Sequence, residues 1–395
     1  MEGRMQMAGS ILIPLLRAAV CGKAPDEYVR SACTPEMLDA VYELAAGQDL
    51  AHMAGAALEG LGLPDGAAME KFRVAGRQAI YRYLRQDHAY GQICQTLERN
   101  RIPFVPLKGS VLREYYPERW MRTSCDIDIL VRESDLDPAI QALTKAGWAA
   151  NGERGYHDIS LYSPAGVHLE LHFHIREHID RLEPLLEQVW DHAAPAAGKQ
   201  YEHALSNEYL MFHLLAHMSY HFVCGGCGVR PLLDLWILKR RMGCREDVLG
   251  SLCRQGGLDK FHDQLMALAG VWFEDRSHSE VTRRLEQVLF QGGIYGSSSN
   301  KVLFDQAQAG SKFGNLRRRI FQPYRDLCIQ YPAISRYPWL TPVYQIVRWW
   351  RIASGGKLIR SCRELRMNQK LTGEQMRSAE AFLCALGLEK SRYRR

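Results

Sequence analysis

Asp126-Ile127-Asp128-Ile129-Leu130-Val131 is the stretch whose reading decides the fold. Its two carboxylates stand two residues apart in an apolar run, so on a β-strand both point to one face. Held that close, they repel each other unless something positive neutralises them. Upstream, Phe104-Val105-Pro106-Leu107 reads as a short strand entering a core, broken at Lys108-Gly109-Ser110; Val111, Leu112, Tyr115 and Tyr116 then suggest a short helix that Pro117 ends. Downstream, Ser134 is expected to cap a helix through Leu136, Ile140, Leu143 and Ala146, with Gly147 as its terminator. Two further strands are predicted at 157–162 and 167–175, joined by Ser163-Pro164-Ala165-Gly166. In the second, Val167, Leu169, Leu171, Phe173 and Ile175 form a core face, while His168, Glu170, His172 and His174 form the other. Strands and helices interleaved in this way make a small mixed α+β domain, expected over 101–190.

The flanks read as helical. Residues 1–100 carry apolar residues at three- and four-residue spacing (Ile80, Tyr83, Leu84, Tyr90, Ile93, Cys94, Leu97), with Asn100 and Pro103 marking the stop. Ala193 to Gly198 reads as a linker, and helical patterning fills 200–395. The apolar run Ile11 to Leu16 is broken by Arg17 and has no clear cleavage site. No run reaches the roughly 18 apolar residues of a membrane helix. Eleven cysteines, an odd number scattered along the chain, form no compact disulfide framework and are expected to be mostly reduced and buried, in a cytoplasmic protein.

The net charge of +6 is unevenly placed. From Lys312 onward there are 18 Lys and Arg against 5 Asp and Glu, so the C-terminal region is basic. There Arg317, Arg318, Arg319, Arg348, Arg351 and Arg360 alternate with Phe321, Tyr324, Trp349 and Trp350. An anionic partner, nucleic acid or membrane, fits this mixture; solvated arginines around a packed tryptophan helix are the plainer reading.

Alone, Asp126 and Asp128 could be the polar face of a solvated edge strand. Three neighbours point elsewhere. Gly109-Ser110 sits where a strand turns into a helix, a place for phosphate, with Lys108 beside it as a point charge. Arg122 offers a second cation with a fork geometry suited to phosphate; the plainer alternative for both Lys108 and Arg122 is a salt bridge to Glu114, Glu118 or the acid pair. Glu170 adds a third carboxylate on a strand able to lie next to the first. Hard carboxylate ligands suit Mg²⁺, and two ions about 4 Å apart can hold a triphosphate and stabilise the attacking and leaving oxygens. Glu170 would complete the ligand shell and assist deprotonation of the acceptor, and His172 would face the substrate or support a ligand.

The order Gly109-Ser110, Asp126-Ile127-Asp128 and a later strand bearing Glu170 resembles the DNA polymerase beta-like nucleotidyltransferase superfamily. More narrowly, Pro106-Leu107-Lys108-Gly109-Ser110, Tyr116-Pro117, Arg122 and Glu170-Leu171-His172 look like the bacterial group of uncharacterised nucleotidyltransferases. The resemblance covers about 75 residues. It implies a small mixed sheet with flanking helices, two Mg²⁺ bound by Asp126, Asp128 and Glu170, and an NTP, ATP expected, held at Lys108, Gly109, Ser110, Arg122 and His172. NMP would pass to an unidentified acceptor, a small molecule, protein or RNA, with release of pyrophosphate. Ser110 and Asp126 stand farther apart than in compact superfamily members. A helix bearing His217, with Arg230 and Asp234 after it, also fits the group's layout and would lie opposite the acids.

Two rival readings remain. One is a nucleotide- or RNA-binding protein that keeps the fold without turnover. The other is a zinc-stabilised helical binding protein built on His213, His217, His221, Cys224 and Cys227, with the histidines on one helix face and a Cys-Gly-Gly-Cys knuckle. Its bland counterpart is a helix end whose histidines bond within the bundle, to Asp234 for example.

Overall fold

The structure, a computed structural model, describes residues 2–63, 65–151, 155, 157–177, 179–293, 296–309, 321–322, 324–331, 333–354 and 371–389. Arg317, Arg318, Arg319 and Arg360 of the basic region lie outside these residues. The fold is mixed α+β, a five-stranded sheet flanked by helices.

Helices α1 (Glu2–Cys21), α2 (Glu27–Ala32), α3 (Pro35–Gly47), α4 (Ala51–Glu59) and the long α5 (Ala67–Arg99) precede the sheet. Its strands are β1 (Phe104–Leu107), β2 (Asp126–Val131), β3 (Ala149–Ala150), β4 (Asp158–Tyr162) and β5 (His168–His172), in the order β1-β2-β5-β4-β3. Only β2 and β5 run parallel; the other pairs are antiparallel. β2 is therefore interior, paired on both sides, and the edge-strand reading of its acids does not apply. Short α6 (Gly109–Leu112) follows β1, and α7 (Leu136–Lys145) follows β2. Ser134 does not cap α7; it sits within a 3-10 turn, Glu133–Asp135, that leads into the helix.

Beyond α8 (Glu183–Leu186), residues read as a linker pair up instead: β6 (Ala193–Pro195) forms a hairpin with β7 (His203–Leu205). Gly198, at φ +73°, makes the turn; Glu98 on α5 accepts three backbone N–H bonds from Gln200, Tyr201 and Glu202, and Phe104 N–H of β1 donates to the Tyr201 carbonyl at 2.9 Å, which fixes the hairpin to α5 and to the sheet's edge. Then come α9 (Asn207–Gly225), α10 (Val229–Arg241), α11 (Glu246–Gly256), α12 (Asp259–Phe273), α13 (Glu280–Gly292) and α14 (Ser298–Ala309).

Two apolar clusters organise the molecule. One joins Ile93 and Leu97 of α5 to Ile127, Ile129, Leu169 and Leu171 of the sheet and Leu143 of α7. The larger one packs α1, α3 and α4 against α9 to α13. Ile11, Leu12, Leu15 and Leu16 are at most 1% exposed within it, so the apolar run ahead of Arg17 is a buried helix face. The apolar stripe read on α5 holds only at its C-terminal end: Ile80 and Leu84 are exposed, at 41% and 58%. α5 packs on α4 with Met69 and Phe72 and on the sheet with Ala89, Ile93 and Leu97, and the span between carries a buried Gln86.

The ten cysteines among the described residues are free, but only Cys33, Cys94, Cys227 and Cys253 are buried. No helix among the described residues is long and apolar enough to cross a membrane. In the C-terminal region, Tyr344 and Val347 pack on Leu327, Tyr331 and Ile334, whereas Trp339, Ile346 and Trp350 are exposed at 73%, 61% and 70%. Trp339 and Trp350 thus face outward.

Candidate active site

The site is built where β2 and β5 lie side by side. In their parallel register Asp128 faces Glu170 and Asp126 faces His168, so strand pairing alone brings the three carboxylates together. Ligand atoms of Asp126, His168 and Glu170 lie within 4.8 Å of one another, and so do those of Asp128, Glu170 and His172; the two groups share Glu170. Burial pushes the Asp126 carboxyl up, and the neighbouring charges of Asp128 and Glu170 push it further.

Asp128 is 3% exposed. Burial alone would raise its pKa, but Lys108 Nζ at 2.9 Å and His172 Nε2 at 3.0 Å, both on Oδ1, hold it well below the usual range. Lys108 in turn is kept charged by Asp128 against the cost of its own burial. His172 also approaches Glu170 at 3.5 Å, and this contact leads in holding the Glu170 carboxyl below its ordinary value. Lys108 therefore pairs with the acids, and its backbone, at φ +44° and ψ −119°, is in a region L-residues rarely adopt. Such a residue costs about 1–3 kcal/mol, which the surrounding contacts must supply.

The long path from Ser110 to Asp126 closes on itself. β1 pairs antiparallel with β2, Leu107 opposite Asp128, so the Lys108-Gly109 turn is set directly beside the acids. The intervening residues form two 3-10 turns, 113–115 and 119–121, before the chain returns past Gly109. A Cβ on Gly109 would sit 3.0 Å from Ser124 Cβ and 3.1 Å from its Oγ. Ser124 is held in turn, donating to Gln86 Oε1 and to the Asp126 carbonyl, both at 2.9 Å, and accepting from Gln86 Nε2 on its own carbonyl. Gly109→Ala should therefore displace the turn against Ser124 and lower the unfolding midpoint, with thermal unfolding as the measurement and an unchanged midpoint as the contrary result. The Ser110 hydroxyl is buried and finds no hydrogen-bond partner among the described residues.

Arg122 does not pair with Glu114, Glu118 or the acid pair. Its Nε lies 2.7 Å from Asp234 on α10, and Tyr116 OH donates to the same Oδ1 at 2.6 Å. Arg230 instead joins Asp49, at 2.7 Å, with Thr123 Oγ1 donating to the same carboxylate oxygen. His217 also avoids Asp234: its Nδ1 lies 2.8 Å from Glu177 Oε1.

These parts line one cleft of about 440 Å³, with Lys108, Gly109, Asp126, Asp128, Glu170 and His172 on one side and residues of α9 and α10 on the other. Of the other strand histidines, His168 bonds Ser160 Oγ at 3.0 Å and His174 pairs with Glu133 at 3.3 Å. The zinc arrangement is not formed: among the described residues, His213, His217, His221, Cys224 and Cys227 do not bring three ligand atoms within reach of one ion. Burial pushes the Cys227 thiol up, away from the thiolate zinc requires.

Glu177 was not singled out in the sequence, because it falls in irregular chain after β5 where no periodicity marks it. It is 5% exposed; burial would raise its pKa, yet His217 foremost holds it at about 2. Because the folded value lies below the ordinary 4.5, this carboxylate stabilises the fold above about pH 4.5, and that contribution fades as pH falls toward 2. Glu177→Gln should flatten the acid limb of the unfolding midpoint against pH; an unchanged limb would contradict this.

A family profile described as uncharacterised nucleotidyltransferase matches residues 34–274, more than half of the chain. The chain belongs to that family. No curated protein matches it. The matched span of this nucleotidyltransferase family extends well beyond the motif-bearing strands, taking in α3 to α5 and the helices α9 to α12, of which α9 and α10 form the far wall of the cleft.

Proposed function

We propose that the chain is a Mg²⁺-dependent enzyme that transfers NMP from an NTP to an acceptor and releases pyrophosphate. The observation that carries this reading is the parallel register that sets Asp128 against Glu170, with Asp126 one strand step away. The donor set suits Mg²⁺. Asp126, Asp128 and Glu170 offer hard oxygen ligands, and the raised Asp126 carboxyl is that of an acid cluster short of positive charge. Bound there, Mg²⁺ would neutralise the triphosphate and help the α-phosphorus accept the nucleophile.

The chain's own residues supply the rest. Gly109 lets the backbone approach the phosphates closely, and the Gly109 and Ser110 amides precede the first hydrogen bond of α6, so both are left to donate. The unpartnered Ser110 hydroxyl is a further donor once the turn adjusts. Lys108, now neutralising Asp128, is positioned to shift its ammonium to a phosphate oxygen. Arg122, anchored by Asp234, lines the cleft as a fixed positive wall, and His172 keeps two of the acids in register.

The test incubates the protein with each α-labelled NTP, Mg²⁺ and host extract, following label and pyrophosphate. Transfer of label that is lost in Asp128→Ala supports the reading. NTP binding without pyrophosphate release would favour a binding protein on the same fold.

A further inference from the structure

The far wall of the cleft holds a constellation that nucleotide and metal binding leave unused. Glu177, in the chain after β5, presents Oε1 2.8 Å from His217 Nδ1 on α9. The His217 side chain is 31% exposed on the cleft wall, and its Nε2 has no hydrogen-bond partner among the described residues. One helical turn earlier, His213 is 1% exposed and its Nδ1 is also without a partner; one turn later, His221 lies on the same wall. A carboxylate on one ring nitrogen fixes the proton there and turns the other nitrogen's lone pair outward, and it steadies the imidazolium once a proton arrives.

We propose that His217, oriented by Glu177, is the general base that takes the acceptor's proton, and hence that the acceptor presents a hydroxyl. This rests on the nucleotidyltransferase reading. An anionic nucleophile such as a phosphate or carboxylate carries its own electron pair and needs no such base. In the step, the acceptor O–H bond breaks with its proton passing to Nε2 of neutral His217, while the oxygen's electron pair forms the bond to the α-phosphorus. The bond from that phosphorus to the oxygen bridging to the β-phosphorus breaks, and pyrophosphate leaves with that electron pair. The imidazolium, held by Glu177, returns its proton to water.

The surroundings favour His217 over its neighbours. Burial pushes His213 to about 3 and His221 to about 4, which makes both weak bases, and among the described residues neither has a carboxylate within hydrogen-bond distance. Glu170, the base expected from the sequence, is already engaged by His172. The charged and titratable groups around the dyad include His213 and His221 on α9, Lys108 and Asp128 from the sheet side, and Glu183 on α8, whose Oε1 accepts the Glu177 backbone N–H at 3.0 Å.

The full chain, as His217→Gln and as Glu177→Gln, is assayed for NTP-analogue binding and for label transfer in host extract across pH 5–9. With binding kept, His217→Gln should lose about 100-fold or more in transfer, the usual share of a general base, and should lose the acid limb of the rate profile. Glu177→Gln should lose less, and lose it in the rate at saturating NTP and not in NTP-analogue affinity, a split a purely structural residue would not give. Wild-type transfer by His217→Gln with the limb intact overturns the proposal while leaving the transferase reading standing. If wild type binds NTP and labels nothing, both fall together. Label recovered on a phosphate or carboxylate instead of a hydroxyl also overturns it.

Discussion

Asp126→Asn is expected to abolish transfer and, in the absence of metal, to stabilise the fold. Asp126 shares its face with Asp128 and Glu170, and ligand atoms of Asp126 and Glu170 lie within 4.8 Å of each other. Lys108 pairs with Asp128, and His172 with Asp128 and Glu170, so Asp126 is the member of the cluster left with repulsion. An amide removes that repulsion and the fold gains, while the site loses a charge that the proposed transfer step would use. Loss of one preorganised charge-stabilising group costs on the order of 10²- to 10³-fold in rate. Pyrophosphate release measures the rate, and the unfolding midpoint in EDTA measures the stability. Added Mg²⁺ should then raise the wild-type midpoint more than the variant's, because a ligand stabilises only the state that binds it. A lower midpoint for Asp126→Asn in EDTA would mean that the carboxylate is held by attraction, contrary to the geometry. Asp128→Asn should behave in the opposite sense, since it strips Lys108 of its partner; breaking a buried pair costs about 3–5 kcal/mol, and Lys108, 23% exposed, places this one at the lower end.

Much of this site could be read before the fold was seen, for a physical reason. Same-face spacing in a strand is a local property, so Asp126 with Asp128, and Glu170 with His172, followed from alternation alone. That the two strands lie adjacent and parallel is a long-range fact, and only the Gly109-Ser110 turn and the family resemblance hinted at it. Partners of buried charges were the least legible. Lys108 could equally have met Glu114, and Arg122 the acid pair; which cation met which anion depended on how the 113–121 turns fold back and on α10, some 110 residues later. Ala193 to Gly198 was misread because alanine, proline and glycine suit a linker as well as a hairpin, and its pairing is set by Glu98 on a distant helix. The stripe on α5 failed at Ile80 and Leu84 because periodicity marks a face without saying whether a neighbour covers it.

Asp234→Ala should be the most destabilising single change at the site, by about 3–5 kcal/mol. Arg122 and Asp234 are 9% and 6% exposed, and Tyr116 donates to the same carboxylate oxygen, so truncation leaves a buried guanidinium without its counter-ion and a buried phenol without its acceptor. Denaturant unfolding measures the loss, and a change under 1 kcal/mol would show that water or another acceptor replaces Asp234. Tyr116→Phe, which removes one donor and leaves the ion pair whole, should cost only about 1 kcal/mol. The replacement of both charges, Arg122→Met with Asp234→Leu, should recover much of the stability, because burying an ion pair gains little over burying apolar groups. It should not recover NTP binding. Arg122 is a wall of the cleft, and the segment it anchors carries Ser124, which packs 3.0 Å from the position a Gly109 Cβ would take. The double variant thus separates the two roles expected of this pair: stability returns with any well-packed filling, whereas the proposed phosphate turn should need the charge and the fixed loop together.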